Sequence, residues 1–557
     1  MHIRRLFGTS GIRGIVNQDL SPDFCRRIAL AIGTTLPTAS TICIATDTRI
    51  SRDMIKEAVT EGLLSCGIDI VDLGILPTPA LALLTRESDF TAGIMVTASH
   101  NPPEFNGIKL FTENSLGYSQ TQEAEIERIF FEKQFRRGKR GTLEQGRDMR
   151  QTYLSFIISK LSLMAFQQQP GVSGGREDDN ISVEGKLHSE EFERQPGVSG
   201  GREDDNISVE GKLHSEAFGQ QQGVSGGRED DNNSGKSKLS LMAFGQQPGV
   251  SGGREDNNRS GEDKLSPTGF NHRLKVVVDP GNGAASKFAS YIFTEMGLNV
   301  IPINDEPDGH FPGRSPEPKE DTLQGTIDFL RRQNADLAIC FDGDADRVVF
   351  CDKEGFLGFN EPIAFISRLA VKQTGKKRIA TTVETGTLLD LAVKDLGAEV
   401  VRGRVGDVPV AHLAQELDAA LGVEQVGVYI FPELGYYPDS IFAALFLLSQ
   451  LSDAREIRQF FQSIPRLYFE KASIVCPNEL KELVISQVKA KANSLNPDEI
   501  NTLDGLRSEF PDSWMLIRAS GTEPVIRVVS ESTSQAKTDE LVSRGKELVE
   551  SVVEANG

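Results

Sequence analysis

The 557-residue chain exceeds what one hydrophobic core usually organises, so three or more domains are expected, and 38% hydrophobic with 25% charged residues places it among globular proteins. A formal net charge of −20 argues against nucleic acid or an anionic membrane as partner, because gripping phosphate backbones needs a clustered positive surface. Six cysteines with no CxxC pair argue against a disulfide framework or a zinc site and fit the reducing cytoplasm.

The opening stretch, MHIRRLFGTSG, has two arginines with no apolar run behind them, so no export signal is expected. The most apolar run, Ile441 to Leu448, is far too short to span a membrane. FGTSGIRG, Phe7 to Gly14, reads as a glycine-rich loop carrying Arg13. TICIATD (41–47) reads as a strand feeding an amphipathic helix from Met54 to Leu64, and GIMVTAS (93–99) as a second strand. A repeat follows. PGVSGGRED begins at Pro170, Pro196 and Pro248, with a degenerate copy at Gln222, a period of 26 residues, and KLSLMAF recurs at Lys160 and Lys238. These units are too polar to offset the entropy of ordering them, so 167–266 is expected to be a disordered, tandemly duplicated insert without catalytic residues. Beyond it, KVVVDPGNG (275–283) precedes a helix over Ala284 to Met296, and DLAICFDGD (336–344) and RIATTV (378–383) are further strands, the alternation of an α/β parallel-sheet core. The last ninety or so residues change to an α+β pattern, with a helix near Leu480 to Asn493, strands at Trp514 to Ala519 and Val525 to Ser530, and a closing helix from Gln535.

Chemistry-bearing residues fall at the ends of these elements. TASHNPPEFNGIKL, Thr97 to Leu110, puts Ser99 and His100 just past a buried-looking strand, with a stiff turn able to present Lys109 back to the same point; taken alone, a Ser-His pair is usually just a turn. DGDADR, Asp342 to Arg347, alternates three carboxylates that point one way if the loop stays extended, and hard oxygen donors of that kind suit Mg²⁺. A solvated acidic turn or a Ca²⁺ loop is the other reading, but the twelfth position of an EF-hand loop is here Lys353. RASGTEP, Arg518 to Pro524, offers a guanidinium, two hydroxyls and open backbone N–H groups, with Arg527 as a second fork, which makes either a phosphate cradle or a plain hairpin.

Together, and in this order, FGTSGIRG, TASHNPPEFNGIKL, DGDADR, a loop near 424–428 and RASGTEP make the chain resemble the α-D-phosphohexomutase family of phosphoglucomutase, phosphomannomutase and phosphoglucosamine mutase. The resemblance implies four domains around a cleft, three related α/β domains and a C-terminal α+β domain, expected here at 1–166, 267–357, 358–465 and 466–557. It implies interconversion of hexose 1-phosphate and hexose 6-phosphate through phosphorylated Ser99 and a hexose 1,6-bisphosphate intermediate, with one Mg²⁺ held by Ser99, Asp342, Asp344 and Asp346. Arg13, Arg347, Lys109 and His100 are implied near the transferring phosphate, the last two as candidates for proton transfer. Glu424, Gln425 and Gly427 are implied at the sugar, and Arg518, Ser520, Gly521, Thr522 and Arg527 at the non-reacting phosphate. Where many members read Gly-Glu-x-Ser-Gly-His, this chain reads VEQVGV, Val423 to Val428; Val426 and Val428 replace a hydroxyl and an imidazole and leave the choice among glucose, mannose and glucosamine open. A non-catalytic sugar-phosphate binder has no need of a phosphorylatable serine, and a Mg²⁺ phosphatase leaves TASHNP and RASGTEP unexplained. The expected partners are small hexose phosphates, with the protein a monomer or homodimer.

Overall fold

The computed structural model describes residues 6–8, 10–166, 274–521 and 523–556, with the backbone alone at 163–166. The repeat insert expected at 167–266, and Thr522, lie outside the described residues. Four sheets are present among the described residues.

The first sheet contains β1 (Ile12–Ile15), β2 (Thr41–Thr46), β3 (Asp69–Ile75), β4 (Ala92–Val96), β5 (Phe105–Thr112) and β6 (Leu143–Gln145), ordered β1-β5-β4-β2-β3-β6. Helices α1 (Pro22–Thr35), α2 (Arg52–Ser65) and α4 (Gln120–Glu132) cover one face, while α3 (Thr78–Glu87) and α5 (Arg150–Phe166) cover the other. Ser21 opens α1 by accepting the N–H of Phe24, with Pro22 at the first helical position, and Ser119 with Gln122 forms a capping box on α4.

The second sheet, ordered β10-β9-β7-β8, is built from β7 (Lys275–Asp279), β8 (Asn299–Pro302), β9 (Leu337–Phe341) and β10 (Val348–Cys351), with α6 (Phe288–Glu295) and α7 (Gln324–Arg332). Its strands are apolar on both faces, as parallel strands buried between layers must be: Val276 and Val278 pack into one cluster and Val277 into another. Helix α6 starts four residues later than the apolar pattern implies, because Lys287 takes a left-handed φ of 60° and breaks the run from Ala284.

The third sheet, ordered β12-β11-β13-β14, contains β11 (Arg378–Thr382), β12 (Glu399–Gly403), β13 (Leu421–Glu424) and β14 (Val428–Ile430), flanked by α8 (Asn360–Thr374), α9 (Leu388–Val393), α10 (Asp407–Glu416) and α11 (Ser440–Gln450). The apolar run noted at 441–448 is the buried centre of α11. After α12 (Glu456–Gln462) comes a wholly antiparallel sheet, β15-β19-β18-β17-β16, made of β15 (Tyr468–Val475), β16 (Glu499–Asn501), β17 (Leu506–Phe510), β18 (Ser513–Ala519) and β19 (Val525–Ser532). Helices α13 (Lys481–Ala490) and α14 (Gln535–Asn556) pack on it.

The first three sheets share a plan. In each, parallel strands end at one antiparallel partner: β4 to β5, β9 to β10, β13 to β14. The loop inside that hairpin follows the carboxyl end of a parallel strand, where α/β proteins place ligands. Those three loops are 97–104, 342–347 and 425–427, three of the segments that the sequence singles out. The fourth, RASGTEP, turns between β18 and β19.

Candidate active site

Ser99 sits past the end of β4, fully buried, with a left-handed φ of 52° that L-residues rarely adopt. Arg49 holds this turn. Its guanidinium is completely buried and donates to the carbonyls of Ser99 (2.8 Å), Asn101 (2.5 Å), Pro102 (2.5 Å) and Phe105 (2.8 Å), with Nε on Asp47 at 3.0 Å. Thr97 Oγ1 accepts the Ser99 N–H at 2.8 Å and donates to Asp47 at 2.6 Å. The Ser99 hydroxyl is thus aimed at the acidic loop, donating to Asp342 Oδ2 at 2.7 Å, with Asp346 Oδ1 at 3.5 Å and His100 Nδ1 at 3.2 Å.

The acidic loop is a turn, not the extended segment that the alternation suggests. Ala345 has a left-handed φ of 58°, and its N–H donates to the carbonyl of Asp342 at 3.2 Å. The three carboxylates still converge, with one oxygen from each within 4.8 Å of the others. Gly343 is required here: a Cβ would lie 2.4 Å from the carbonyl oxygen of Ser99, so the two loops meet backbone to backbone. Lys109, on β5, donates to Asp344 Oδ2 at 2.7 Å and Asp346 Oδ2 at 2.5 Å. Burial alone would lower the Lys109 pKa, but Asp344 and Asp346 outweigh it and hold the ammonium above the ordinary lysine range. Burial, together with Asp346 and Asp344, pushes the Asp342 carboxyl well up, whereas Lys109 and Arg347 keep Asp346 ionised against burial. Asp344 Oδ1 is buried without a hydrogen-bond partner among the described residues. Three converging carboxylates, one with an orphaned oxygen, are a donor set that fits a hard divalent cation. His100 is driven strongly toward the neutral imidazole by burial and by Arg347 and Arg13. Arg13 donates to Asn101 at 3.0 Å, and Arg347 Nε lies 3.8 Å from Asp346.

The third loop is tied to the start of β10, just past the second loop, by a bond from the Val348 N–H to the Gly427 carbonyl at 2.9 Å. Gly427 has φ 86°, and a Cβ there would lie 2.4 Å from the Val348 oxygen. Glu424, nearly buried, accepts the Gly406 N–H at 2.7 Å; burial, then Asp407, pushes its carboxyl up to about 8 despite Arg347. Gln425 Oε1 is buried and has no hydrogen-bond partner among the described residues. Val428 is core, and Val426 packs against the same cluster around Val410 and Ala414 of α10, so both valines serve the packing of the third sheet. In the fourth loop Arg518 bonds Asp504 and Glu384 at 3.0 Å each, and Ser520 Oγ accepts the Glu523 N–H at 3.2 Å. Gly521 is exposed, and Arg527 pairs with Glu523. Among the described residues this loop makes no hydrogen bond to Ser99 or to the acidic loop; its link inward is Glu384, after β11.

Family models of phosphoglucomutase/phosphomannomutase match along the chain: α/β/α domains I, II and III at residues 4–137, 264–355 and 360–468, and the C-terminal domain at 474–547. The chain belongs to the α-D-phosphohexomutase family. A probable phosphoglucosamine mutase of Methanopyrus kandleri is 31% identical over 552 residues, covering 99% of each protein. A phosphoglucomutase/phosphomannomutase of Thermococcus kodakarensis is 29% identical over 556 residues, covering 98% of each. A phosphoglucomutase/phosphomannomutase family protein of Burkholderia thailandensis shares the fold, with TM-score 0.71 at 21% identity over 98% of this chain and 97% of that one.

In this phosphohexomutase two groups near the cluster escape sequence reasoning. Asp407, first residue of α10, accepts the Ser10 hydroxyl at 3.1 Å and borders a small cavity with Lys109 and Gly11. Thr78, first residue of α3, donates to Asp344. Neither lies in one of the four loop motifs; each opens a helix after a strand, and Gly403 and Gly406 lead into Asp407.

Proposed function

We propose that this phosphohexomutase transfers phosphoryl groups through Ser99, interconverting hexose 1-phosphate and hexose 6-phosphate of the glucose or mannose type. The observation that carries the reading is the buried Ser99 hydroxyl, held in a left-handed turn 2.7 Å from Asp342 at the mouth of an acidic cluster. A phosphoryl group on Ser99 Oγ is donated to the free hydroxyl of a hexose monophosphate: the serine P–O bond breaks, the sugar O–P bond forms, the proton lost by the sugar hydroxyl is balanced by one gained at Ser99 Oγ, and a 1,6-bisphosphate results. That intermediate turns over and returns its other phosphate to Ser99; supplied from outside, it primes an enzyme that has lost its phosphate. Mg²⁺ held by Asp342, Asp344 and Asp346 would supply positive charge facing the phosphoryl oxygens. Lys109, kept cationic by two aspartates, and the guanidinium groups of Arg13 and Arg347 steady the same charge. Lys109, held protonated, stabilises charge rather than taking a proton, and His100, whose imidazolium is disfavoured by burial, Arg347 and Arg13, is a weak base that orients more readily than it takes a proton. Glu424 and Gln425 contact sugar hydroxyls; Arg518, Ser520, Gly521, Thr522 and Arg527 grip the distal phosphate, with Glu384 and Asp504 displaced from Arg518 as it arrives. Six buried free thiols support a cytoplasmic setting.

Glucosamine phosphate is the second reading, favoured by the name of the 31%-identical relative from Methanopyrus kandleri. Turnover of glucose, mannose and glucosamine phosphates side by side decides between them. For the carrier itself, intact-mass measurement is expected to find one phosphate on the purified protein. Ser99→Ala should abolish it and lower kcat on the order of 10⁶-fold, the scale of losing a serine nucleophile. A Ser99→Ala protein that still turns over sinks the reading.

A further inference from the structure

We propose that Thr78 is a positioning residue that fixes which oxygen of Asp344 faces the cation, an inference resting on the reading of the acidic loop as a divalent-metal site. Thr78 opens α3 beside the first sheet, yet both of its donors serve the loop after β9. Its N–H donates to the Asp344 carbonyl at 2.9 Å and its Oγ1 to Asp344 Oδ2 at 2.6 Å. Lys109 donates to that same Oδ2 at 2.7 Å. With two donors on one oxygen, the carboxylate cannot exchange its oxygens without breaking buried, charge-assisted bonds. Asp344 Oδ1 is left buried within the carboxylate cluster, with no hydrogen-bond partner among the described residues. An orphaned carboxylate oxygen in such a place is costly unless a cation takes it.

Of the two donors, Thr78 is the one with no competing side-chain partner among the described residues. Lys109 divides its ammonium between Asp344 and Asp346 and belongs to the groups that meet the transferring phosphate. Thr78 is 2% exposed, and the prolines on either side, Pro77 and Pro79, limit the backbone that carries it. Groups that orient a metal ligand through a hydrogen bond are typically worth about 10–100-fold in metal affinity. Thr78 therefore sets the affinity of the site from the first domain, although no metal ligand other than Ser99 comes from there.

The test is an electron paramagnetic resonance titration of full-length protein with Mn²⁺, a probe that takes the same oxygen donors. Thr78→Val removes the hydroxyl at nearly constant shape and is expected to weaken Mn²⁺ binding about 10–100-fold. Thr78→Ser, which restores the donor, is expected to bind within a few-fold of wild type, and kcat of the valine variant should recover as Mn²⁺ is raised. Equal affinity in wild type and Thr78→Val overturns the positioning role while leaving the metal site standing. Failure of wild type to bind Mn²⁺, or binding untouched by Asp344→Asn, overturns the metal reading itself and this inference with it. Should the valine variant not fold, Thr78→Ala is read by the same criterion.

Discussion

The junction of the first two sheets and the junction of the last two handle charge in opposite ways. Behind Ser99 and the acidic loop the bracing arginines are buried and tied to backbone and to an aspartate: Arg49 to four carbonyls and Asp47, and Arg314 to Asp279 and the carbonyl of Phe341. A matching brace therefore lies behind each loop, one arginine-aspartate pair per domain. At the other junction the partners are exchangeable. Arg518 rests on Glu384 and Asp504, which are about a quarter to a third exposed, and Arg527 rests on exposed Glu523. Exposed pairs of this kind contribute little and can be replaced by a tighter anion. Under the proposed function, the contrast separates a part whose geometry is set before substrate arrives from a part whose ion pairs would rearrange around the incoming phosphate.

The sharpest way to break this contrast is to alter the fixed part without disturbing its shape. Asp344→Asn keeps the volume and is expected to cut kcat by about 10²–10³-fold, the usual cost of one preorganised electrostatic contact. Alanine is a poorer choice than a loop position suggests, because Asp344 is buried beneath Lys109 and Thr78, and breaking such a pair costs about 3–5 kcal/mol. Thermal unfolding of the asparagine variant near the wild-type temperature, with kcat unchanged, would contradict the assignment.

In the exchangeable part the effect should be smaller and fall on binding. Arg518→Gln is expected to raise KM for both hexose monophosphates about 10–100-fold, the worth of a charged hydrogen bond, with kcat changing less. Initial rates over a range of substrate concentrations check this, and an unchanged KM would place the distal phosphate elsewhere.

The smallest effect concerns Glu424, between the two parts. Burial and Asp407 raise its carboxyl to about 8 from 4.5, so across that window the folded protein holds a proton that the unfolded chain releases. Wild-type stability should therefore fall as pH rises through the window, and Glu424→Gln should lack that fall. The melting temperature of the variant relative to wild type is expected to climb by roughly a few °C between pH 5.5 and 8. Parallel curves would show Glu424 ionised throughout.

Much of this is legible in the chain because each reactive loop is a short local segment after an apolar strand: Ser99 after GIMV and Asp342 after LAICF can be read without knowing any contact. What stays hidden comes from elsewhere in the chain. Thr78 and Asp344 are 266 residues apart, Ser10 and Asp407 397, and no periodicity records such pairings. The local backbone departs from expectation for a related reason. Left-handed residues at Ala345 and Lys287 carry no glycine or asparagine to announce them; the packing of neighbouring loops imposes them. Val426 in the third loop and Val428 at the start of β14 illustrate the converse: noted in the sequence as replacing polar sugar contacts, they pack in the cluster that holds α10.

The shared hairpin plan also bears on where this chain tolerates added length. The long connection after α5 re-enters at Lys275, the amino end of β7, whereas the reactive loop of that sheet leaves from the carboxyl end of its parallel neighbour β9. Five residues of strand, roughly 16 Å, lie between the two ends. Adding or removing whole repeat units at that attachment point is therefore expected to leave the register of β7 against β9, and with it the reach of Asp342 toward Ser99, unchanged.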